Sequence, residues 1–304
     1  MSENVVEIEN LVKYFDGRCV IDGVNLAVPR GCIYGLLGRN ASGKTTIIRI
    51  LLGLEPPTRG RTFLLGAPSN RLAGRTKGRI GYVAEGHNLI QDYKVGRLVK
   101  LCRDLSLKWN DEFFGHLIEM FRLPMDRKVS QLSIGMRAQL NLSLALATDP
   151  ELLILDDPTL GLDTVARRHF LELAIEVIQQ QGRTILFSSH ILGDVERIAD
   201  RIGILVAGKL VVDCALDELK NRVKKLRVIF PEAPPENLHL TEIIDRQIQG
   251  REMTLTVANW NRQKQNMLEL FKPTSCTEMP MSLEDIFIEC TQPVSAVVAP
   301  ESEG

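Results

Sequence analysis

Gly38-Arg39-Asn40-Ala41-Ser42-Gly43-Lys44-Thr45 is the stretch on which the reading of this chain turns. Its eight residues fit G-x-x-x-x-G-K-[ST], a pattern that needs an apolar strand before it and a helix after it. Residues 32–37 supply the strand, and residues 46–52 read as a helix stopped by Gly53 and Pro56. Glycines let such a loop curl until successive N–H groups point at one anion, and the helix N-terminus adds partial positive charge. Lys44 then offers a cation to β- and γ-phosphates, and the Thr45 hydroxyl offers a ligand to Mg²⁺. With Thr46, these residues form an expected nucleoside-triphosphate cradle.

Working outward, short apolar runs alternate with helix-like stretches, which predicts an α/β fold with a mainly parallel sheet. Expected buried strands cover residues 32–37, 152–155, 184–188 and 202–206, and Ala207-Gly208-Lys209 reads as a hairpin turn into 210–212. Leu152-Leu153-Ile154-Leu155 runs directly into Asp156. A carboxylate at a strand's carboxyl end faces the crevice where α/β sheets bind ligands, and beside a phosphate loop Asp156 is an expected Mg²⁺ ligand. Asp157 follows it, placed to take a proton from, or orient, a water attacking the γ-phosphate; its plainer reading is a turn residue before Pro158.

The chain has 304 residues, 44% hydrophobic and 25% charged, enough for a sizeable core. Lys and Arg number 37 against 38 Asp and Glu, so no whole-chain basic footprint argues for a nucleic-acid partner, and none is expected. Six scattered cysteines make no C-x-x-C pair and read as buried hydrophobes of a reducing compartment. No signal peptide and no run of 18 apolar residues is visible, so the chain is not expected to cross a membrane alone.

The apolar spacing turns helical between Asp92 and Thr148, an expected helical insertion at about 86–148. A charged helix near 217–225 leads to Pro231-Glu232-Ala233-Pro234-Pro235, a boundary signal. The expected division is a nucleotide-binding domain over 1–222, a small α+β domain over 223–290 and a disordered tail over 291–304.

Three further segments resemble the ATP-binding subunits of ABC transporters. Leu132-Ser133-Ile134-Gly135-Met136-Arg137-Ala138-Gln139 is similar to the family's LSGGQ-type signature and opens a helix expected over 136–147. Asp157-Pro158-Thr159-Leu160-Gly161-Leu162-Asp163 resembles the segment entering the D-loop, and Ser188-Ser189-His190 the switch region. The resemblance spans about residues 5–220. It implies a P-loop cassette with an N-terminal antiparallel β part, and a head-to-tail dimer sandwiching two ATP molecules. Each ATP would meet the phosphate loop of one chain and Ser133 and Gly135 of the other, with His190 sensing the γ-phosphate and Phe15 stacking on adenine.

Departures from the family pattern set their own expectations. Ala41 replaces a common Gly, which is tolerable if its φ is negative. Met136-Arg137 replaces the usual Gln of the signature. Glu85, after Gly81-Tyr82-Val83-Ala84, stands where Gln is commonest; it could bind Mg²⁺ or water, or be an exposed turn acid. Asp157 stands where Glu is usual, keeping a base but losing one methylene of reach. Finally, Met281-Ser282-Leu283-Glu284-Asp285-Ile286-Phe287-Ile288 is similar to the closing stretch of ABC-2 type exporters and also reads as a helix capped by Ser282 and Asp285.

The reading is an ATP-hydrolysing subunit, with ATP and Mg²⁺ as cofactors. It would serve an exporter at the cytoplasmic face of the cell membrane, with a separate multi-span permease and a second copy as partners. The alternatives are an ABC-type ATPase acting on ribosomes or DNA, for which sustained heptads are lacking, or a weakly hydrolysing regulatory cassette.

Overall fold

A computed structural model of the chain describes residues 3–179, 183–235, 238 and 240–291. Apart from Thr291, the expected disordered tail lies outside them. The chain opens with β1 (Asn4–Phe15), β2 (Arg18–Pro29) and β3 (Ile33–Leu37), then α1 (Lys44–Leu51), β4 (Arg59–Leu64) and β5 (Ala67–Pro68). Next come α2 (Gly74–Lys77), β6 (Ile80–Val83), α3 (Val95–Leu105), α4 (Asp111–Phe121), α5 (Ile134–Ala147) and β7 (Leu152–Asp156). They are followed by α6 (Thr164–Gln179), β8 (Thr184–Ser189), α7 (Leu192–Ile198), β9 (Arg201–Val206), β10 (Lys209–Ala215) and α8 (Leu216–Arg222). The remainder is β11 (Lys224–Ile229), β12 (Ile243–Gln249), β13 (Glu252–Val257), α9 (Arg262–Glu269), β14 (Ser275–Met279) and α10 (Leu283–Thr291).

The central sheet runs β10-β9-β3-β8-β7-β6, parallel throughout except for β10, which pairs antiparallel with β9. Strands β3, β7 and β8 are buried at every position, as continuous apolar runs covered on both faces must be. Strand β6 was not expected. Gly81 at its centre obscures the pattern, and the packing explains the glycine: a Cβ there would stand 2.9 Å from Leu153 Cδ1.

An antiparallel sheet, β2-β1-β4-β5, packs against α1 and one face of the central sheet through Ile21, Val24, Leu36, Ile47 and Ile48. Helices α3 and α4 join part of α5 in a separate cluster that includes Leu98, Phe114, Leu132 and Leu140. The third sheet, β12-β13-β11-β14, has its own core around Val228, Phe230, Leu255 and Leu268.

Helix starts differ from expectation for local reasons. Helix α5 begins at Ile134, earlier than expected, because Ser133 Oγ accepts the Met136 N–H and so caps it. Helix α1 begins at Lys44, immediately after Gly43 at φ 111°. No helix among the described residues is long and apolar enough to cross a membrane.

Candidate functional site

Parallel register brings three loops together. Leu37 at the end of β3 pairs with Ser189 of β8, and Ser188 pairs with Asp156 of β7. The phosphate loop, the two aspartates and the switch segment therefore emerge side by side at the carboxyl edge of the sheet, where α/β sheets place ligands.

The loop's glycines have steric reasons. A Cβ on Gly38 would stand 2.4 Å from Ser42 Oγ and 2.6 Å from the Leu205 carbonyl oxygen. Gly43 has a positive φ, and a Cβ there would meet Ile21 Cδ1 at 2.4 Å. Ala41 does not meet the condition for easy tolerance of a Cβ: its φ is +63°, not negative. The chain holds a Cβ in the left-handed region there, at a cost of about 1–2 kcal/mol.

Helix α1 has no acidic residue in its first turn and no side-chain cap, so its N-terminal N–H groups are left for a ligand. The buried Lys44 folds back on the loop, donating to the Gly38 carbonyl at 2.8 Å and the Arg39 carbonyl at 3.3 Å. Burial pulls its pKa below the usual lysine value, and the charges of Asp157, Asp156 and Glu85 oppose that shift.

Asp156 Oδ1 accepts from Ser188 Oγ at 2.8 Å and from Thr45 Oγ1 at 3.1 Å. Burial pushes its pKa up, and these two hydrogen bonds act against the shift. Asp157 has a left-handed backbone at φ 44°, and its N–H donates to Ser188 Oγ at 2.9 Å. Its Oδ2 lies 2.7 Å from His190 Nδ1. Asp156 Oδ2 and Asp157 Oδ1 are buried with no hydrogen-bond partner among the described residues. Glu85 is exposed, but it follows β6 into the same space, with Oε2 3.5 Å from Thr45 Oγ1.

An open cleft of about 920 Å³ is lined by Phe15, Asn40 to Thr46, Glu85 and Asp157. Phe15 is exposed at one end, with Lys13 Nζ 4.6 Å from its ring centroid. Arg39, Asn40 and His190 line an adjoining depression. Ser133 and Gly135 do not line the cleft of their own chain. The exposed Ser133 hydroxyl accepts from Met136 N–H, which leaves its proton for an acceptor outside the helix.

Sequence reasoning gave Ser188 no role, yet it ties Asp156 to Asp157. Only strand register reveals the tie, since Ser188 pairs with Asp156 across β7 and β8. Arg18, Cys19 and Val20 also line the cleft, together with Ala207 and Gly208, which the sequence marked only as a turn. No local signal marks Arg18; the β1–β2 hairpin places it there.

The oxygen donor set suits Mg²⁺, a hard cation commonly held by one or two carboxylates, a hydroxyl and substrate phosphates. The orphaned Asp156 Oδ2 beside Thr45 fits that requirement. A cleft with an aromatic side chain at one end and an amide cradle with a buried lysine fits a nucleoside triphosphate.

Comparison with known proteins agrees with this geometry. The family model for ABC transporters matches residues 21–160. The chain is 32% identical over 288 residues to the ABC transporter ATP-binding protein YtrB of Bacillus subtilis (strain 168), covering 93% of this chain and 97% of that one. It is 36% identical over 229 residues to the bacitracin transport ATP-binding protein BcrA of Enterococcus faecalis, covering 73% of each. The Nod factor export ATP-binding protein I of Rhizobium sp. (strain N33) is 31% identical over 299 residues, 96% of this chain and 98% of that one. A solved ATP-binding subunit of an ABC transporter superposes with a TM-score of 0.65 at 27% identity, over 71% of this chain and 92% of that one. A dimeric ATP-binding cassette in a post-hydrolysis state with ADP and phosphate shares the fold, at a TM-score of 0.62 and 24% identity over 69% and 98%.

Proposed function

The chain belongs to the ABC transporter family as an ATP-binding, ATP-hydrolysing subunit, and from that premise we propose that it drives export through a separate membrane permease. The observation that carries the reading is the cluster of Lys44, Thr45, Asp156, Asp157 and His190 at the ends of β3, β7 and β8.

In this reading Gly38 to Thr46 cradle the phosphates through N–H groups, and Lys44 turns from the loop carbonyls to the β- and γ-phosphate oxygens. Phe15 stacks on the adenine. Thr45 and Asp156, with Glu85, hold Mg²⁺, which when bound offsets charge on the phosphate oxygens. Asp157 takes the proton of the attacking water on its carboxylate. His190 holds Asp157 through Oδ2 and turns its other ring nitrogen to the γ-phosphate.

Ser133 and Gly135 act on the nucleotide of a second copy, which fits their absence from the lining of their own chain's cleft. Closure of that dimer around ATP and its release after hydrolysis form the population switch that a permease converts into export. The helical insertion at 86–148 presents the permease-facing surface, and the pair sits at the cytoplasmic face of the membrane. The division is a cassette over 1–222 and a small domain over 223–290, with α10 returning to the cassette core.

Detergent extraction tests the export reading. The full chain is expected to co-purify with a multi-span membrane protein and to release phosphate from MgATP in that complex. Association with ribosomes or DNA in its place would overturn the export role.

A further inference from the structure

The last helix does not stay with the sheet that precedes it. Leu283, Ile286 and Phe287 of α10 are buried in the same apolar cluster as Val195 of α7, outside the core of the third sheet. The Leu283 N–H donates to Glu196 Oε2 at 3.2 Å, and Glu196 Oε1 pairs with Lys220 Nζ of α8 at 2.7 Å. Ser282 and Asp285 close the start of α10 reciprocally: Ser282 Oγ accepts the Asp285 N–H at 3.1 Å, and Asp285 Oδ2 accepts the Ser282 N–H at 2.9 Å.

Helix α7 also rests on the strand that feeds the phosphate loop. A Cβ on Gly35 of β3 would stand 2.5 Å from Val195 Cγ1, so the helix is seated directly on that backbone. Helix α7 has seven residues and no side-chain cap, and it starts two residues after His190. A helix that short has no stability of its own, so its packing partners set its orientation.

We propose that α10 is a positioning element for His190: it grips α7 against β3 through Glu196 and the buried Leu283, Ile286 and Phe287, and so holds the ring against Asp157. The contacts belong to this chain alone; their consequence for turnover rests on the reading of Asp157 and His190 as hydrolytic residues. Glu196 touches neither the cleft nor the ring, so its effect reaches the reaction only through the placement of α7 and His190.

Glu196→Ala and Glu196→Gln in the full chain test this, with three measurements on each: amide exchange over residues 187–198, kcat for ATP, and Kd for ATP. Glu196→Ala is expected to speed exchange across that segment and to lower kcat about ten-fold, short of the roughly 10²-fold that a displacement of a full ångström can cause. ATP affinity is expected to stay within about two-fold, because Lys44 and the loop are untouched. Glu196→Gln still accepts the Leu283 N–H and is expected to remain close to the parent in exchange and kcat. Parent-like exchange in Glu196→Ala overturns the proposal, as does an equal fall in kcat and ATP affinity, which marks general loss of structure. Glu196→Gln behaving as badly as Glu196→Ala also overturns it. A parent chain that hydrolyses no ATP counts against the proposed function, and exchange alone then decides the positioning claim.

Discussion

His190 Nδ1 stands 2.7 Å from Asp157 Oδ2, joining the segments that leave β7 and β8. The contact settles how the two side chains divide their atoms. With Nδ1–H given to the carboxylate, the second ring nitrogen is left for the depression shared with Arg39 and Asn40. Asp157 keeps Oδ1 uncommitted. Of the carboxylate's two oxygens, one is fixed by the ring and one is buried without a partner among the described residues.

Asp157→Asn keeps the shape and removes the proposed base. It is expected to lower ATP hydrolysis by roughly 10²–10⁴-fold, the usual worth of a positioned base, with ATP binding retained. Phosphate release measured beside nucleotide titration checks this, and near-parental turnover would remove Asp157 from the reaction.

Ala41 carries a Cβ at φ +63° on an exposed loop. Ala41→Gly relieves that conformation and is expected to raise stability by about 1 kcal/mol, despite the greater freedom glycine has when unfolded. Urea unfolding of both chains reads the difference from the midpoint at unchanged slope.

Phe15 is the exposed aromatic of the cleft, 41% accessible. Base stacking on an aromatic ring contributes about 1–3 kcal/mol, so Phe15→Ala is expected to weaken ATP binding by about 5- to 150-fold. The triphosphate alone, which has no base to stack, is expected to bind both chains equally. An equal loss for ATP and triphosphate would place Phe15 outside the base site.

Glu151 links the starts of β6 and β7 to the loop before β3. It accepts from Arg79 Nε at 2.5 Å and Arg79 Nη2 at 2.7 Å, and from Arg30 Nη1 at 3.3 Å. The hydrogen bonds from Arg79, and then those from Arg30, hold its pKa below the usual glutamate value. The folded state thus binds this proton less tightly than the unfolded one. The stabilisation is fully present above the unfolded value of about 4.3 and is lost as pH falls through the lower folded value. Glu151→Gln is therefore expected to be less stable than the parent at pH 7, with the gap closing below pH 4. A gap independent of pH between 7 and 3 would rule out the ion pairs as its cause.

Much of the fold was legible because its cues are local. Residues 152–155 form a strand because a short apolar run ends there in a carboxylate and a turn, and the chain turns into a helix after Gly43, two residues before the start expected from sequence. Strand β6 escaped notice for the opposite reason. Its Gly81 is explained only by Leu153 on the neighbouring strand.

The site divides in the same way. Lys44, Thr45, Asp156, Asp157 and His190 could be proposed as neighbours from spacing and resemblance, because each stands at or after the end of a strand in one parallel sheet. Ser188 could not be given its role, since its bonds to Asp156 and Asp157 depend on register between strands 32 residues apart for one pair and 31 for the other.

By itself, then, the amino-acid sequence determined the strand–loop–helix cradle, the order of the motifs and the family. The cradle rests on backbone freedom at glycines and on the apolar periodicity of each segment, and the family on the resemblance of its motifs. Tertiary structure alone decided the left-handed backbone at Ala41, the sharing of Asp157 between His190 and an uncommitted oxygen, and the return of α10 to the switch helix. Those features depend on which distant surfaces meet, and contacts across more than 80 residues, such as Leu283 with Glu196, leave no local trace in the chain.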